Sequence, residues 1–246
     1  RYAALRKHCS ENTLLLVAQH QDDQAETLVL QLLRGAGVKG LASMPKIAPF
    51  GEGYIGRPFL ELSQQAILDY ADRCRLSWVE DTSNLELAYD RNFLRQQVIP
   101  LIKQRWPAFA KTTARTASHC AEASSILDDY ASALLVTEAA AVLDVSSLTG
   151  KADKLKRLVL RQWLANNAVR MPSEKILHQL LILVEKKSAC VAWARYQVHL
   201  YDGNLYFSHQ EISELPSDAP LWQGNNLNFS WYNKIFRRKL VSSGGI

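Results

Sequence analysis

The residues best suited to do chemistry lie close together near the start of the chain. They read His20-x-Asp22-Asp23-x-x-Glu26-Thr27, followed by Arg34-Gly35-x-Gly37. On a helix, Asp22 and Glu26 stand one turn apart and share a face, while Asp23 and Thr27 share the next. Three carboxylates within five residues at a helix start also have a plainer reading as favourable charges on its N-terminal dipole, worth up to about 1 kcal/mol each. That reading accounts for one or two acids but not for the histidine beside them. Carboxylates holding Mg²⁺ against a phosphate are the natural chemistry of such a set.

The flanking elements place this cluster. Thr13 to Ala18 (TLLLVA) is a short apolar, β-prone run predicted to be a buried parallel strand. Ala25, Leu28, Val29, Leu32 and Leu33 recur at helical spacing, and Arg34-Gly35-Ala36-Gly37 ends the helix. Strand, polar turn and helix form one unit of an open α/β sheet, whose ligands bind at the carboxyl ends of strands. His20 to Asp23 occupy that position.

Further along, Ile55-Gly56-Arg57-Pro58-Phe59-Leu60 reads as extended. Ser63 caps a helix reaching about Cys74, with Ala66, Ile67, Tyr70 and Ala71 on its core side. Arg91 to Arg105 is helical with Pro100 interrupting or capping it. A domain boundary is expected near Pro107. Behind it come an alanine-rich helix to about Leu135 and a less periodic stretch from Thr137 to Gly150. A helix follows with Leu155, Val159 and Trp163 inward and Leu158 on its flank, then another from Pro172-Ser173-Glu174 with Ile176, Leu177, Leu180, Leu181 and Val184 inward. Ala189 to Leu200 and Asn204 to Ser208 read as two strands joined at Asp202-Gly203. The expected divisions are 1–107, 108–210 and, as linker and start of a further domain, 211–246.

Charge is distributed in blocks. Residues 11–90 carry 12 acids and 6 bases, residues 91–118 carry 6 bases and no acid, residues 119–150 sum to −5, and residues 151–187 hold 9 bases against 3 acids. Arg237-Arg238-Lys239 adds a basic tail. Separate basic blocks suit a polyanion, although solvated helix faces are also charged. Lys154, Arg157 and Arg161 recur at spacings of three and four on one helix face, a stripe suited to phosphate contact. Trp78, Trp163 and Trp193 are candidates for stacking on bases, against the commoner role of tryptophan in a core. Cys9, Cys74, Cys120 and Cys190 lie 65, 46 and 70 positions apart, which is no disulfide framework and no zinc site and fits a reducing cytoplasm. No apolar run is long enough to span a membrane as a helix.

The run LLVAQHQDDQAETLVLQLLRGAGVKGLASM resembles the second signature of the tRNA(Ile)-lysidine synthetases, PP-loop ATP pyrophosphatases. Gly56-Arg57-Pro58, Glu80-Asp81-x-Ser83-Asn84, Asp90-Arg91-Asn92-x-x-Arg95 and Pro100 continue it in order. Many relatives carry two adjacent histidines before the acids; here the first is Gln19, to which no duty is given. The fold implied is α/β: a partial Rossmann-like PP-loop domain (adenine nucleotide alpha hydrolase-like), followed by a helical substrate-binding domain with a β-hairpin. The SGGxDS sequence of the family's nucleotide loop does not occur, and the chain starts at Arg1 and stops at Ile246 without clear ends. The expectation is therefore a fragment lacking the N-terminal PP-loop and inactive by itself.

The resemblance implies ATP and Mg²⁺ as cofactors, and a tRNA(Ile) with a CAU anticodon and free L-lysine as partners. No membrane is implied, and a homodimer is compatible. ATP would activate C2 of the wobble cytidine as an adenylate, and the lysine ε-amine would displace AMP to give lysidine. Asp22, Asp23, Glu26 and His20 are the catalytic candidates, with Asp22 and Asp23 for metal or lysine ammonium. Arg57, Arg91 and Arg95 are candidates for nucleotide or RNA phosphates, each against the alternative of an ion pair with an upstream acid. Lys154, Arg157, Arg161 and Arg115 are candidates for the RNA backbone. Asp81, Ser83 and Asn84 form a polar set that suits a turn as well as a ligand. Two other readings stay open: another PP-loop tRNA-modifying enzyme such as a thiolase, which the absence of a close cysteine pair disfavours, and a non-catalytic RNA-binding protein.

Overall fold

The computed structural model describes residues 2–79, 82–135, 139–169, 171–186 and 189–209. The chain divides into two compact units, Arg1–Ile126 and Leu127–Ile246. Glu80, Asp81 and the basic run Arg237-Arg238-Lys239 lie outside the described residues.

In the first unit a short helix α1 (Tyr2–Arg6) precedes β1 (Leu14–Leu16), α2 (Gln21–Leu33), the single turn α3 (Val38–Leu41), and the strands β2 (Ile47–Phe50) and β3 (Gly53–Gly56). The sheet order is β1-β3-β2. β1 runs parallel to β3 with Leu15 opposite Ile55, and β2 pairs antiparallel with β3 through a tight turn at Gly51, φ +66°. Cys9, Phe50 and Ile55 make a small core, joined by Leu15, Val17 and Ala48. The sequence expectation of a fully buried β1 is not met. Alternate residues of a strand face opposite ways, so Leu15 turns to this core while Leu14 and Leu16 are 53% and 62% exposed.

The segment expected to be extended through Leu60 is strand only to Gly56, and the chain turns at Arg57, whose N–H donates to the Lys46 carbonyl at 2.8 Å. α4 (Gln64–Arg73) begins as the sequence requires, with Ser63 Oγ accepting the Ala66 N–H at 3.2 Å. Its expected core face is not covered: Ala66 and Tyr70 are exposed, and Ile67 and Ala71 are half-buried. The Arg91–Arg105 helix is interrupted where Pro100 forces it. α5 (Asp90–Phe93) passes into a π-helical turn over Leu94–Val98 and then into α6 (Ile99–Arg105). Proline has no N–H for the α-helical ladder, and the wider turn absorbs the missing bond. α7 (Phe109–Leu134) follows, and the division between the two units falls within it.

The second unit adds β4 (Val142–Asp144), α8 (Asp153–Asn166), α9 (Glu174–Val184), β5 (Ala189–Trp193), β6 (Tyr196–Tyr201) and β7 (Asn204–His209). The strands form an antiparallel sheet ordered β4-β7-β6-β5. Asp202 and Gly203 have φ +46° and +74° and close the β6–β7 hairpin where the sequence places it. The run expected as one strand from Ala189 to Leu200 folds back at Ala194, φ +46°, so it supplies two strands. The core joins Leu143, Val159, Leu160, Trp163, Leu164, Leu177, Leu180, Leu181, Val198, Leu205 and Phe207. On α8 the buried face is Lys156, Val159, Leu160, Trp163 and Leu164; Leu155, expected inward, is half-buried.

Candidate functional site

α2 starts directly after the loop that leaves the carboxyl end of β1, and its first turn presents the acids. His20 is extended at the N-cap, and its N–H donates to Asp23 Oδ2 at 3.0 Å. Asp22 turns instead toward α4: its Oδ2 accepts the Gln64 N–H at 2.9 Å, while Lys103 Nζ of α6 donates to Oδ1. Burial pushes the Asp22 carboxyl up, but the hydrogen bonds from Lys103 and Gln64 and the charges of Lys103 and His20 outweigh it and hold the group below its ordinary value.

Asp23 and Glu26 face α5 and the π turn. Arg91 Nη2 and Arg95 Nη2 donate to Asp23 Oδ1 at 3.0 and 2.9 Å. Arg91 Nε donates to Glu26 Oε2 at 2.7 Å, and Arg95 Nε to Oε1 at 2.6 Å. Glu26 is only 2% exposed, so these contacts take the place of the water its carboxylate has lost. Its hydrogen bonds raise the Arg95 guanidinium pKa against the opposing effect of burial. The π turn carries Arg95 one helical step from Arg91, so both guanidinium groups reach the same pair of acids.

Three carboxylates thus meet three cations, and each of the six carboxylate oxygens accepts from an N–H or ammonium donor. This bears on the expectation that Asp22 and Asp23 hold Mg²⁺. A resident divalent cation needs carboxylate charge that is not already neutralised. Here Lys103, Arg91 and Arg95 neutralise all three acids, with Asp23 Oδ1 and Glu26 Oε2 each accepting twice. Among the described residues no group of three or more His, Cys, Asp or Glu side chains is placed to hold a metal ion. The donor set as folded does not fit a resident Mg²⁺.

Beside this network lies a second set. Arg57, just past β3, donates from Nε to Gln19 Oε1 at 2.6 Å and from Nη1 to the Pro45 carbonyl at 2.8 Å. Its guanidinium pKa is lowered by burial, partly offset by Tyr2. Arg57 makes no ion pair among the described residues and stays directed at the carboxyl ends of β1 and β3. His20 Nδ1 is buried with no hydrogen-bond partner and lies 3.9 Å from Asp22 Oδ2, while Nε2 of the same ring is 3.4 Å from Asp23 Oδ2. Gln24 fixes the neighbouring loop, its side-chain amide bonding both the N–H and the carbonyl of Met44.

The sequence missed Lys103, Gln19 and Gln24. Only the long basic block from Arg91 onward hinted that an acidic cluster upstream would need partners. Ser83 and Asn84 contribute their backbone carbonyls, to Asn92 and Gln96, and so fasten their loop to the helix that carries Arg91. In the second unit Lys154 and Arg157 make no ion pair among the described residues, but Arg161 Nη2 donates to Glu174 Oε1 at 2.6 Å. Lys156 is buried and paired with Glu185 at 3.1 Å. Arg115 is exposed on α7. Trp163 is core, its Nε1 donating to the Ala140 carbonyl at 3.0 Å, and Trp193 packs on Tyr196.

An α/β unit with its charged cluster at the strand ends, ahead of a separate sheet-and-helix unit, is the architecture of a PP-loop protein with an appended substrate-binding domain. Residues 1–102 match the PP-loop domain family model, and residues 143–206 match the TilS substrate binding domain. The tRNA(Ile)-lysidine synthase of Methylococcus capsulatus is 39% identical over 234 residues, covering 91% of this chain and 53% of that protein. That of Photobacterium profundum is 39% identical over 219 residues (85% and 49%), and that of Proteus mirabilis 42% over 182 residues (73% and 41%). Over both its parts, in order, the chain matches the tRNA(Ile)-lysidine synthase family.

The PP-loop match supports ATP binding and overturns one expectation. The missing SGGxDS stretch had implied a fragment lacking the N-terminal PP-loop and inactive by itself, yet the match to the PP-loop domain runs over residues 1–102, with the substrate-binding domain present behind it. That expectation rested on one short motif, whereas the domain match rests on the whole of residues 1–102. The chain spans about half the length of the curated relatives it matches. No helix of the described residues is long and apolar enough to cross a membrane.

Proposed function

We propose that the protein to which this chain belongs ligates lysine to the wobble cytidine of a CAU-anticodon tRNA(Ile), using ATP, through an adenylated cytidine. The observation that carries this is the charge-balanced cluster at the β1 and β3 strand ends, inside a chain that matches both family domains in order. ATP transfers its adenylyl group to the C2 oxygen of the cytidine with loss of pyrophosphate. The lysine ε-amine then forms the C2–N bond as AMP leaves with the C–O bond electrons.

Each residue has a stated part in this reading. Arg57, held by Gln19 and Pro45, offers its remaining Nη2 to a phosphate. Arg91 and Arg95 hold Asp23 and Glu26 through Nε and Nη2, which leaves Nη1 of each for a phosphate oxygen. Asp22 takes the substrate lysine ammonium in exchange for Lys103. His20, with Nδ1 unpartnered, accepts the proton that the amine must lose before attack. Mg²⁺ enters with ATP in this reading, and no step is assigned to it because the carboxylates here do not fit it. Lys154, Arg157 and Arg115 contact the tRNA backbone. Cys9, Cys74, Cys120 and Cys190 form no disulfide among the described residues, which suits the cytoplasm, and nothing in the reading depends on a second copy.

The test is AMP release by the full-length protein with and without lysine and with transcripts differing at the wobble base. The proposal requires turnover only with lysine and the CAU transcript together. Equal turnover without tRNA would refute it.

A further inference from the structure

The pairing of Arg91, Arg95 and Lys103 with α2 leaves three bases of the 91–118 block without an ion pair among the described residues: Arg105, Lys111 and Arg115. All three are exposed, and they gather around the corner where α6 ends and α7 begins. At that corner stands Trp106, 63% exposed and with no ring contact among the described residues. Its backbone is tied on both sides, the N–H to the Ile102 carbonyl at 2.8 Å and the carbonyl to the Phe109 N–H at 2.9 Å. Pro107 stiffens the turn further. The exposed indole therefore springs from a fixed backbone.

We infer that this corner is a binding surface for an unpaired stretch of RNA, with Trp106 stacking on a base and Arg105, Lys111 and Arg115 holding its phosphates. The inference deepens the tRNA reading above and rests on it. Single exposed tryptophans are common on protein surfaces and mean little alone. Here the local charge decides: no acid occurs from Arg91 to Ala121, so no carboxylate in this stretch competes with phosphate. Lys111 and Arg115 stand four residues apart on α7, just over one turn or about 6 Å along the axis, and so share a face. Trp78 is also exposed but is followed by Glu80-Asp81, which repel a phosphate backbone.

The exposed ring selects for unpaired bases. A base within a duplex keeps its faces against its neighbours, whereas a looped-out base offers a face to an aromatic side chain. A protein partner would favour an apolar rim, and this rim is cationic. The corner is also coupled to the strand-end cluster, because Lys103, two residues before Arg105, is the α6 residue bound to Asp22.

The experiment measures binding of the chain to an unmodified tRNA transcript, an unstructured oligouridine and a short RNA duplex, with thermal melts of every variant. Trp106→Leu should lose about 10-fold on oligouridine and on the transcript, the scale of one base–aromatic stack, and almost nothing on the duplex. Trp106→Phe should retain most of the binding. Arg105→Gln/Lys111→Gln/Arg115→Gln should lower the slope of log affinity against log salt by about 2, at about 0.7 per phosphate contact on a single strand. A folded Trp106→Leu variant with unchanged affinity for oligouridine, or with equal losses on strand and duplex, overturns the inference and leaves the tRNA reading standing. Absence of transcript binding by the unsubstituted chain would overturn both.

Discussion

Replacing Glu26 by Gln tests whether the charge-balanced network holds the first unit together. The substitution keeps volume and shape but removes the charge that accepts Arg91 Nε at 2.7 Å and Arg95 Nε and Nη2 at 2.6 and 2.9 Å. Removing one partner of a fully buried ion pair costs about 3–5 kcal/mol. Glu26 is that buried, but Arg91 and Arg95 are 37% and 34% exposed, and both retain Asp23, so water and the second acid recover part of the loss. The expected destabilisation is about 2–3 kcal/mol. Arg95→Met, which keeps an apolar stem and removes the fork, should cost a similar amount. Because the two share bonds, the double variant should fall short of the sum by about 1–2 kcal/mol. Urea unfolding reads this as a drop in midpoint of roughly 1 M per single variant at unchanged slope, with hydrogen exchange of the α2 amides assigning the loss to the first unit. Strict additivity, or a change below about 0.5 kcal/mol for Glu26→Gln, would show that the network is a loose surface arrangement and refute the reasoning.

Two further outcomes follow from single contacts. Asp22 has its pKa depressed in the fold, so its contribution to stability is present above the unfolded carboxyl pKa of about 3.9 and is lost as pH falls through the lower folded value. Lys103→Met removes the main lowering contacts and leaves burial in charge, so stability measured from pH 7 down to about 3 should lose its acid-side decline or reverse it; an unchanged acid limb would discount the Lys103–Asp22 pair. In the second unit, Lys154→Gln/Arg157→Gln should lower the salt slope of tRNA affinity by about 1.4–1.8. Adding Arg161→Gln should change it little further, since that side chain already serves Glu174; a salt titration with an equal step for each of the three would show that Arg161 leaves Glu174 for RNA.

Much of what determines this protein is local and was legible along the chain. A strand followed by a polar turn and an amphipathic helix placed His20, Asp22, Asp23 and Glu26 at a strand end, because period and capping are set by near neighbours. Ser63 at its N-cap and Asp202-Gly203 at its turn follow the same logic. The ordered motifs carried the family resemblance. The tertiary structure alone decided who meets whom. Arg91, Arg95 and Lys103 lie 65 to 81 positions from the acids they neutralise, and sequence spacing holds no record of a contact made by folding. Block charges of opposite sign read as separate faces, whereas the fold cancels half of one against the other. That cancellation is why Asp22 and Asp23 do not fit a metal, and why Arg105, Lys111 and Arg115 are the bases left facing water. The same limit applies to burial: Lys156 and Leu155 are neighbours on α8, and only the packing of α9 beside them puts the lysine inside, against Glu185, and leaves the leucine half-buried.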